Sequence, residues 1–239
     1  GIGAMLLALL VGYPFVRVKR AYFAMLTLFM GEVIRLVIVE WKDLTGGNSG
    51  VLNIPPPNSL SFLGLLNITF DSKVSYYYFV LILVLISLLF LYRIDTSRVG
   101  RTLLAIQQGD FVAESVGINV TGFKVFAWCV GCFFAGIAGS FYAHYVSVLT
   151  PLTFGVLLTI YIVVYMIVGG PRKFSGAILG AFVLTIIPEV FRALKEYQPF
   201  VFVGILFIII FLLPGGLVDL PGLVRSRIKK LGGTSVSHA

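Results

Sequence analysis

An all-α, polytopic transmembrane helical bundle is the fold class this sequence predicts, and three observations predict it. The 239 residues are 59% hydrophobic and 12% charged, with a mean hydropathy of +1.02, so too little polar surface exists to cover a water-soluble core. The apolar residues form continuous runs at 1–16, 21–40, 76–92, 122–148, 152–168, 174–191 and 198–213. A helix crossing about 30 Å of hydrocarbon needs about 20 such residues, whereas a membrane β-barrel shows alternating segments of about ten. The basic residues alternate sides of these runs. One set of connections carries Arg17, Lys19, Arg20, Arg93, Arg98, Arg101, Lys124, Arg172, Lys173, Arg225, Arg227, Lys229 and Lys230; the other carries only Lys42, Lys73, Arg192 and Lys195, with Arg35 inside a run. The rich side is cytoplasmic by the positive-inside rule, giving about seven crossings and a cytoplasmic C-terminus. The net charge of +8 is thereby read as topology, and nucleic acid is not an expected partner.

The elements follow in order. The run 1–16 starts at Gly1 without an initiator Met and its basic cluster comes after it, the reverse of a secretory signal, so further membrane helices are expected upstream. The run 21–40 holds Glu32 and Arg35, spaced i,i+3 on one helical face. Ionisable residues in a span mark either an internal pair or a substrate pathway; mutual neutralisation near the outer interface, marked by Glu40 and Trp41, is the favoured reading. The outer loop 41–75 contains Thr45-Gly46-Gly47-Asn48-Ser49-Gly50 and then Pro55-Pro56-Pro57. Glycines allow positive φ and consecutive prolines enforce extension, which favours a re-entrant or tightly turned loop. The run 76–92 has tyrosines at both ends, marking two membrane interfaces.

The cytoplasmic loop 93–124 differs in kind, mixing basic residues with Asp95, Asp110 and Glu114 among helix-compatible apolar residues. Asp110 is expected to cap a short helix over 111–116 that stops at Gly117. Two turns are marginal alone in water, so this helix needs something to pack against. In the run 122–148, Cys129 and Cys132 form a C-x-x-C without polar redox surroundings and are read as small buried residues, and His144 as a lone interfacial side chain. Gly131, Ala135 and Gly139, like Gly176 and Gly180 two runs later, have the four-residue spacing that lets membrane helices approach closely. Gly169-Gly170-Pro171 ends the run 152–168, Pro188-Glu189 bends or closes the run 174–191, and 214–239 is a basic cytoplasmic tail. The whole of 1–239 reads as one transmembrane domain.

The sequence contains no G-x-x-x-x-G-K-[ST] loop, no H-E-x-x-H, no Ser/His/Asp set and no metal-spaced cluster, so neither an enzyme nor a nucleotide or metal cofactor is expected. A conduit or transporter leads. An ion-gradient-driven transporter is the rival; it would need a titratable group at mid-membrane, and only Glu32 offers one.

Tyr22-Phe23-Ala24-Met25-Leu26-Thr27-Leu28, Gly31-Glu32-Val33-Ile34-Arg35, Leu44-Thr45-Gly46-Gly47 with Gly50 and Ile54-Pro55, the stretch Arg101–Val120, Ala135-Gly136 to Ala143-His144, Val168-Gly169-Gly170 to Leu179-Gly180-Ala181, Pro188-Glu189 and Leu213-Pro214 with Gly216-Leu217 resemble, in order and over nearly the whole chain, the LivM-type permeases of bacterial branched-chain amino acid ABC importers. The T-G-G turn of Thr45, Gly46, Gly47 and Gly50 separates it from the sister permease. The resemblance implies a multi-pass permease of the inner (plasma) membrane, working with that sister subunit, two cytoplasmic ATPases that use the ATP, a substrate-binding protein and membrane lipid. It implies transport of branched-chain or related hydrophobic amino acids, with urea or short amides as the alternative, through a pathway between the two permeases. It also implies a coupling segment that docks on the ATPase, here Asp110, Phe111, Val112, Ala113, Glu114, Ser115 and Gly117. Of the generic Glu-Ala-Ala-x-x-x-Gly pattern only Ala113 and Gly117 match. A second departure is Gly170-Pro171-Arg172-Lys173, where relatives have an uncharged glycine-rich turn.

Overall fold

The computed structural model describes residues 1–16, 18, 20–55, 60–62, 66–68, 73–171, 173–190, 203–204, 207, 211 and 216–219. The apolar runs fold as helices: α1 Ile2–Phe15, α2 Arg20–Glu40, α3 Lys42–Thr45, α4 Lys73–Thr96, α5 Arg98–Gln108, α6 Asp110–Ser115, α7 Val120–Val146, α8 Val156–Gly169 and α9 Phe174–Val190. Among the described residues four helical stretches are long and apolar enough to cross a membrane: Tyr22–Glu40, Val74–Thr96, Val120–Val146 and Pro151–Gly169. Ile2–Phe15 and Phe174–Ile186 are apolar but shorter. At 1.5 Å per residue α1 reaches only about 21 Å, so the expected count of seven crossings resolves into four full-length and two short apolar helices. The seventh run, 198–213, and the tail 214–239 lie almost wholly outside the described residues, as do the loop basic residues Arg17, Lys19 and Arg172. This is a multi-pass membrane protein with an all-α body.

The chain divides into two units, Gly1–Val156 and Leu157–Ala239. In the first, α1 and α7 meet where side chains are smallest. Gly136 sits against Ala4 and Gly1, and Gly12 against the Trp128 indole, which Phe23 meets edge-on at 5.7 Å. Gly131 and Gly139, expected to make this contact, instead face open space. The four-residue pattern marked the right helix but the wrong face, because Gly136 lies between its members. Aromatic pairs join α4 to α7, Phe79 with Phe141 and Phe90 with Phe134, and the Tyr76 hydroxyl donates to the Phe141 carbonyl at 2.5 Å. Cys129 is buried and both cysteines are free.

Two small β pairings, absent from the predicted all-α fold, organise the loops. β1 (Val51–Leu52) pairs antiparallel with β4 (Val148–Leu149) beyond the end of α7, and β2 (Leu60–Phe62) pairs with β3 (Leu66–Ile68). His144 Nδ1 lies 2.9 Å from the Pro55 carbonyl and Ile54 N–H donates to Ser147, so the loop leaving Gly50 is fastened to α7.

In the second unit α8 and α9 approach through glycines. Cβ atoms built on Gly169, Gly176 or Gly180 would run into backbone of the facing helix turn, and beside this contact Val168 and Leu184 are fully buried, with Tyr165 and Leu217 packed on them. α9 continues to Val190, beyond the Pro188-Glu189 expected to bend or close it.

Candidate functional site

Two places gather the chemistry-bearing residues. The first is the segment between α4 and α7. Ser97 starts α5 by accepting from the N–H groups of Val99 and Gly100, a cap that turns the chain sharply out of α4. α5 is a full eleven-residue helix inside the predicted cytoplasmic loop 93–124. Its signal was present in Ser97 and in the apolar positions Val99, Leu103 and Ile106, three to four apart.

α6 follows after Gly109, whose extended backbone forms the N-cap without a side-chain bond. Asp110 is therefore not the cap expected. It occupies the first helical position, and its Oδ2 accepts from Lys124 Nζ of α7 at 2.6 Å, while Oδ1 is buried without a partner among the described residues. The helix ends as predicted around Gly117, with φ +81. Ile118 N–H donates to the Ala113 carbonyl and Gly117 N–H to that of Glu114, the paired bonds of a Schellman motif.

Ala113 departs from the expected docking face. It is 3% exposed and packs with Ile106 of α5 and Val120 of α7, flanked by Ile118 and Phe123. This inward seat is what lets so short a helix persist. The outward face belongs to Phe111, Val112 and Val116, which are 83%, 66% and 76% exposed. Glu114 and Ser115 lie beside them, also exposed. An apolar cluster carried on a charged, non-membrane turn and pinned from behind by Lys124 has the character of an interaction surface.

The second place is the far half of α2. Arg35 Nε donates to both Glu32 carboxylate oxygens at 3.0 Å, and its Nη2 donates to Oε1 at 2.5 Å. The i,i+3 spacing on an α-helix brings the two heads together, and the fork matches the carboxylate. Arg35 is 19% and Glu32 31% exposed.

Arg35 also lines a recess of about 350 Å³ with Ile38, Thr45, Val51, Leu149 and Phe154. The turn that closes it needs glycine. Gly46, Gly47 and Gly50 have φ of +70, +60 and +69, and a side chain on Gly50 would strike the Leu149 backbone of the β1–β4 pairing. Thr45 anchors the turn by sharing its hydroxyl proton between the Ile38 and Trp41 carbonyls at 2.5 and 2.8 Å. Thr45 and Gly50, joined by the turn through Gly46 and Gly47, thus line one wall of a pocket that the sequence did not disclose, because its other wall comes from residues one hundred positions away.

The ion pair yields a double-substitution test. Glu32→Gln or Arg35→Gln alone strands a charge in an apolar helix, whereas the double change strands none. Each single variant is expected to lower the yield of folded, detergent-extracted protein several-fold and the double variant to recover it, read by size-exclusion fluorescence. Normal yields from both single variants together with lost transport would count against a structural pair.

Among the described residues no group of three or more His, Cys, Asp or Glu side chains could hold a metal ion. A family model described as "Branched-chain amino acid transport system / permease component" matches residues 1–213. The chain is 25% identical over 252 residues to the high-affinity branched-chain amino acid transport system permease protein LivM of Escherichia coli, covering 98% of this chain and 59% of the relative. It is likewise 25% identical over 241 residues to LivM of Salmonella typhimurium, covering 94% and 56%. A probable branched-chain amino acid transport permease protein LivH of Methanocaldococcus jannaschii is 36% identical over 109 residues, which is 45% of this chain and 33% of that protein. The chain thus spans between half and three fifths of the length of the two bacterial relatives. No solved structure matches it at a significant level.

Proposed function

The chain belongs to the family of permease components of branched-chain amino acid transport systems, and from that premise we propose that it is one of two membrane subunits of an ATP-driven importer of branched-chain or related hydrophobic amino acids. The match over residues 1–213 carries this reading. The two LivM permeases it resembles suggest the substrate class.

In this reading the chain supplies no catalytic group. ATP is hydrolysed in two cytoplasmic ATPase subunits, and a binding protein delivers substrate from outside to a path shared with a sister permease. The basic-rich loops and the tail 214–239 face the cytoplasm of an inner (plasma) membrane protein, and the loop 41–75 faces outward. α6 is the coupling element: Phe111, Val112 and Val116 enter the ATPase surface, while Ala113, Gly117 and the Asp110–Lys124 ion pair hold α6 to α5 and α7. Movement of the ATPase is then delivered to the foot of a 27-residue membrane helix.

The pairing of Glu32 with Arg35 supports this over the ion-gradient rival, since the one carboxylate suited to bind a coupling cation is already neutralised. Reconstitution tests the proposal. Full-length protein with the sister permease, both ATPases and binding protein in liposomes should take up leucine only with ATP inside. The same protein alone should take up none under a proton or sodium gradient. Gradient-driven leucine uptake by the protein alone would overturn the reading.

A further inference from the structure

We propose that the recess beside Arg35 is a substrate-holding site, which takes the α-carboxylate of an aliphatic amino acid on the Arg35 guanidinium and its side chain on the apolar wall; this rests on the importer reading above. Its volume of about 350 Å³ sits at the small end of the roughly 300–1,000 Å³ typical of ligand pockets. That size suits a small amino acid.

The chemistry of the lining narrows the class further. Ile38, Val51, Leu149 and Phe154 make the wall, and the polar groups are few: Arg35 and the hydroxyls of Thr45 and Thr150. Both hydroxyls are engaged, Thr45 with the Ile38 and Trp41 carbonyls and Thr150 with Thr153 at 3.0 Å. Arg35 binds Glu32 through Nε and Nη2, which leaves Nη1 as the charged donor with no hydrogen bond among the described residues. Glu32 fixes the guanidinium through Nε and Nη2, and Nη1 is left to meet the carboxylate of the amino acid. Urea or a short amide would need several donors and acceptors and would leave the apolar wall unused. The recess therefore selects an aliphatic amino acid over those alternatives.

The wall also carries a size test. Ile38→Phe from α2 and Val51→Phe from β1 each fill the recess without touching the ion pair. In liposomes containing the complete transporter and an unchanged binding protein, either filler should lower the leucine-to-valine ratio of kcat/KM about tenfold, in line with discrimination of one methylene in an apolar pocket. A third variant, Glu32→Gln/Arg35→Gln, should assemble with its partners and retain basal ATP hydrolysis yet lose leucine uptake at least tenfold. An unchanged leucine-to-valine ratio in both fillers of an assembled complex would overturn the site, as would full leucine uptake by the double variant. Equal loss for both amino acids would assign the recess to packing or lipid and also overturn it. Absence of ATP-driven uptake by the wild-type complex is a separate result, which removes the importer reading and this site with it.

Discussion

Gly180→Val is expected to abolish accumulation of folded protein, whereas Gly139→Val is expected to leave the isolated protein intact. Both glycines sit in apolar helices within small-residue patterns, and the sequence treats them alike. The structure does not. A Cβ on Gly180 would lie 2.8 Å from the Gly169 nitrogen and 2.9 Å from its Cα, and closer still to the Tyr165 carbonyl oxygen. These are backbone atoms of α8, which cannot rotate aside. Overpacking against side chains costs about 1–3 kcal/mol and occasionally more, and the rigid neighbours here place Gly180→Val at or above the top of that range. Separating α8 from α9 would also open the contact that buries Val168 and Leu184. Nothing lies within 4 Å of a Cβ on Gly139. The measurement is thermal unfolding in detergent of the two variants beside wild type. Wild-type unfolding of Gly180→Val would show that the α8–α9 contact does not hold the unit together.

What the sequence disclosed and what it withheld divide along one physical line. Features set within a few residues were legible. Apolar run length gave the helices, Gly117 gave the stop of α6, and Glu32 and Arg35 one turn apart gave their ion pair. Features made by distant residues were hidden. The Asp110–Lys124 ion pair joins positions 14 apart, the Tyr76–Phe141 bond spans 65 and the His144–Pro55 contact 89. Asp110 shows how local logic misleads: an acidic residue ahead of a short helix reads as its cap, but the lysine of α7 competes for the carboxylate and Gly109 takes the cap position. The family resemblance assigns Ala113 to the docking segment with its neighbours, and only its burial against Ile106 and Val120 reassigns it. The recess beside Arg35 is the extreme case, being drawn from α2, the glycine turn, β1, β4 and the 3-10 turn at Pro151–Phe154.

That reassignment of Ala113 shapes the experiment with the greatest bearing on function, which is expected to separate ATPase docking from folding. Phe111→Ser/Val116→Ser removes the two most exposed apolar side chains of α6 and disturbs no buried contact. An aromatic anchor in a partner pocket contributes about 2 kcal/mol or more, equivalent to roughly thirty-fold in affinity. The double variant should therefore insert and unfold like wild type, lose the ATPase on copurification, and take up no leucine. Ala113→Glu is the contrast, since it forces a charge into the contact with Ile106 and Val120, and it should lower the thermal stability of the subunit itself. Lys124→Met probes the link to α7. A partly exposed ion pair is worth no more than about 1 kcal/mol, so the complex should still assemble, but ATPase movement should reach α7 less faithfully and leucine uptake per ATP hydrolysed should fall. Ser115→Cys reports the side of the membrane, since its exposed thiol should react with an impermeant reagent only from the cytoplasmic face in a background lacking Cys129 and Cys132. Wild-type copurification and substrate-stimulated ATP hydrolysis in Phe111→Ser/Val116→Ser would show that α6 is a solvated turn, and labelling of Ser115→Cys from outside would invert the topology on which the coupling role depends.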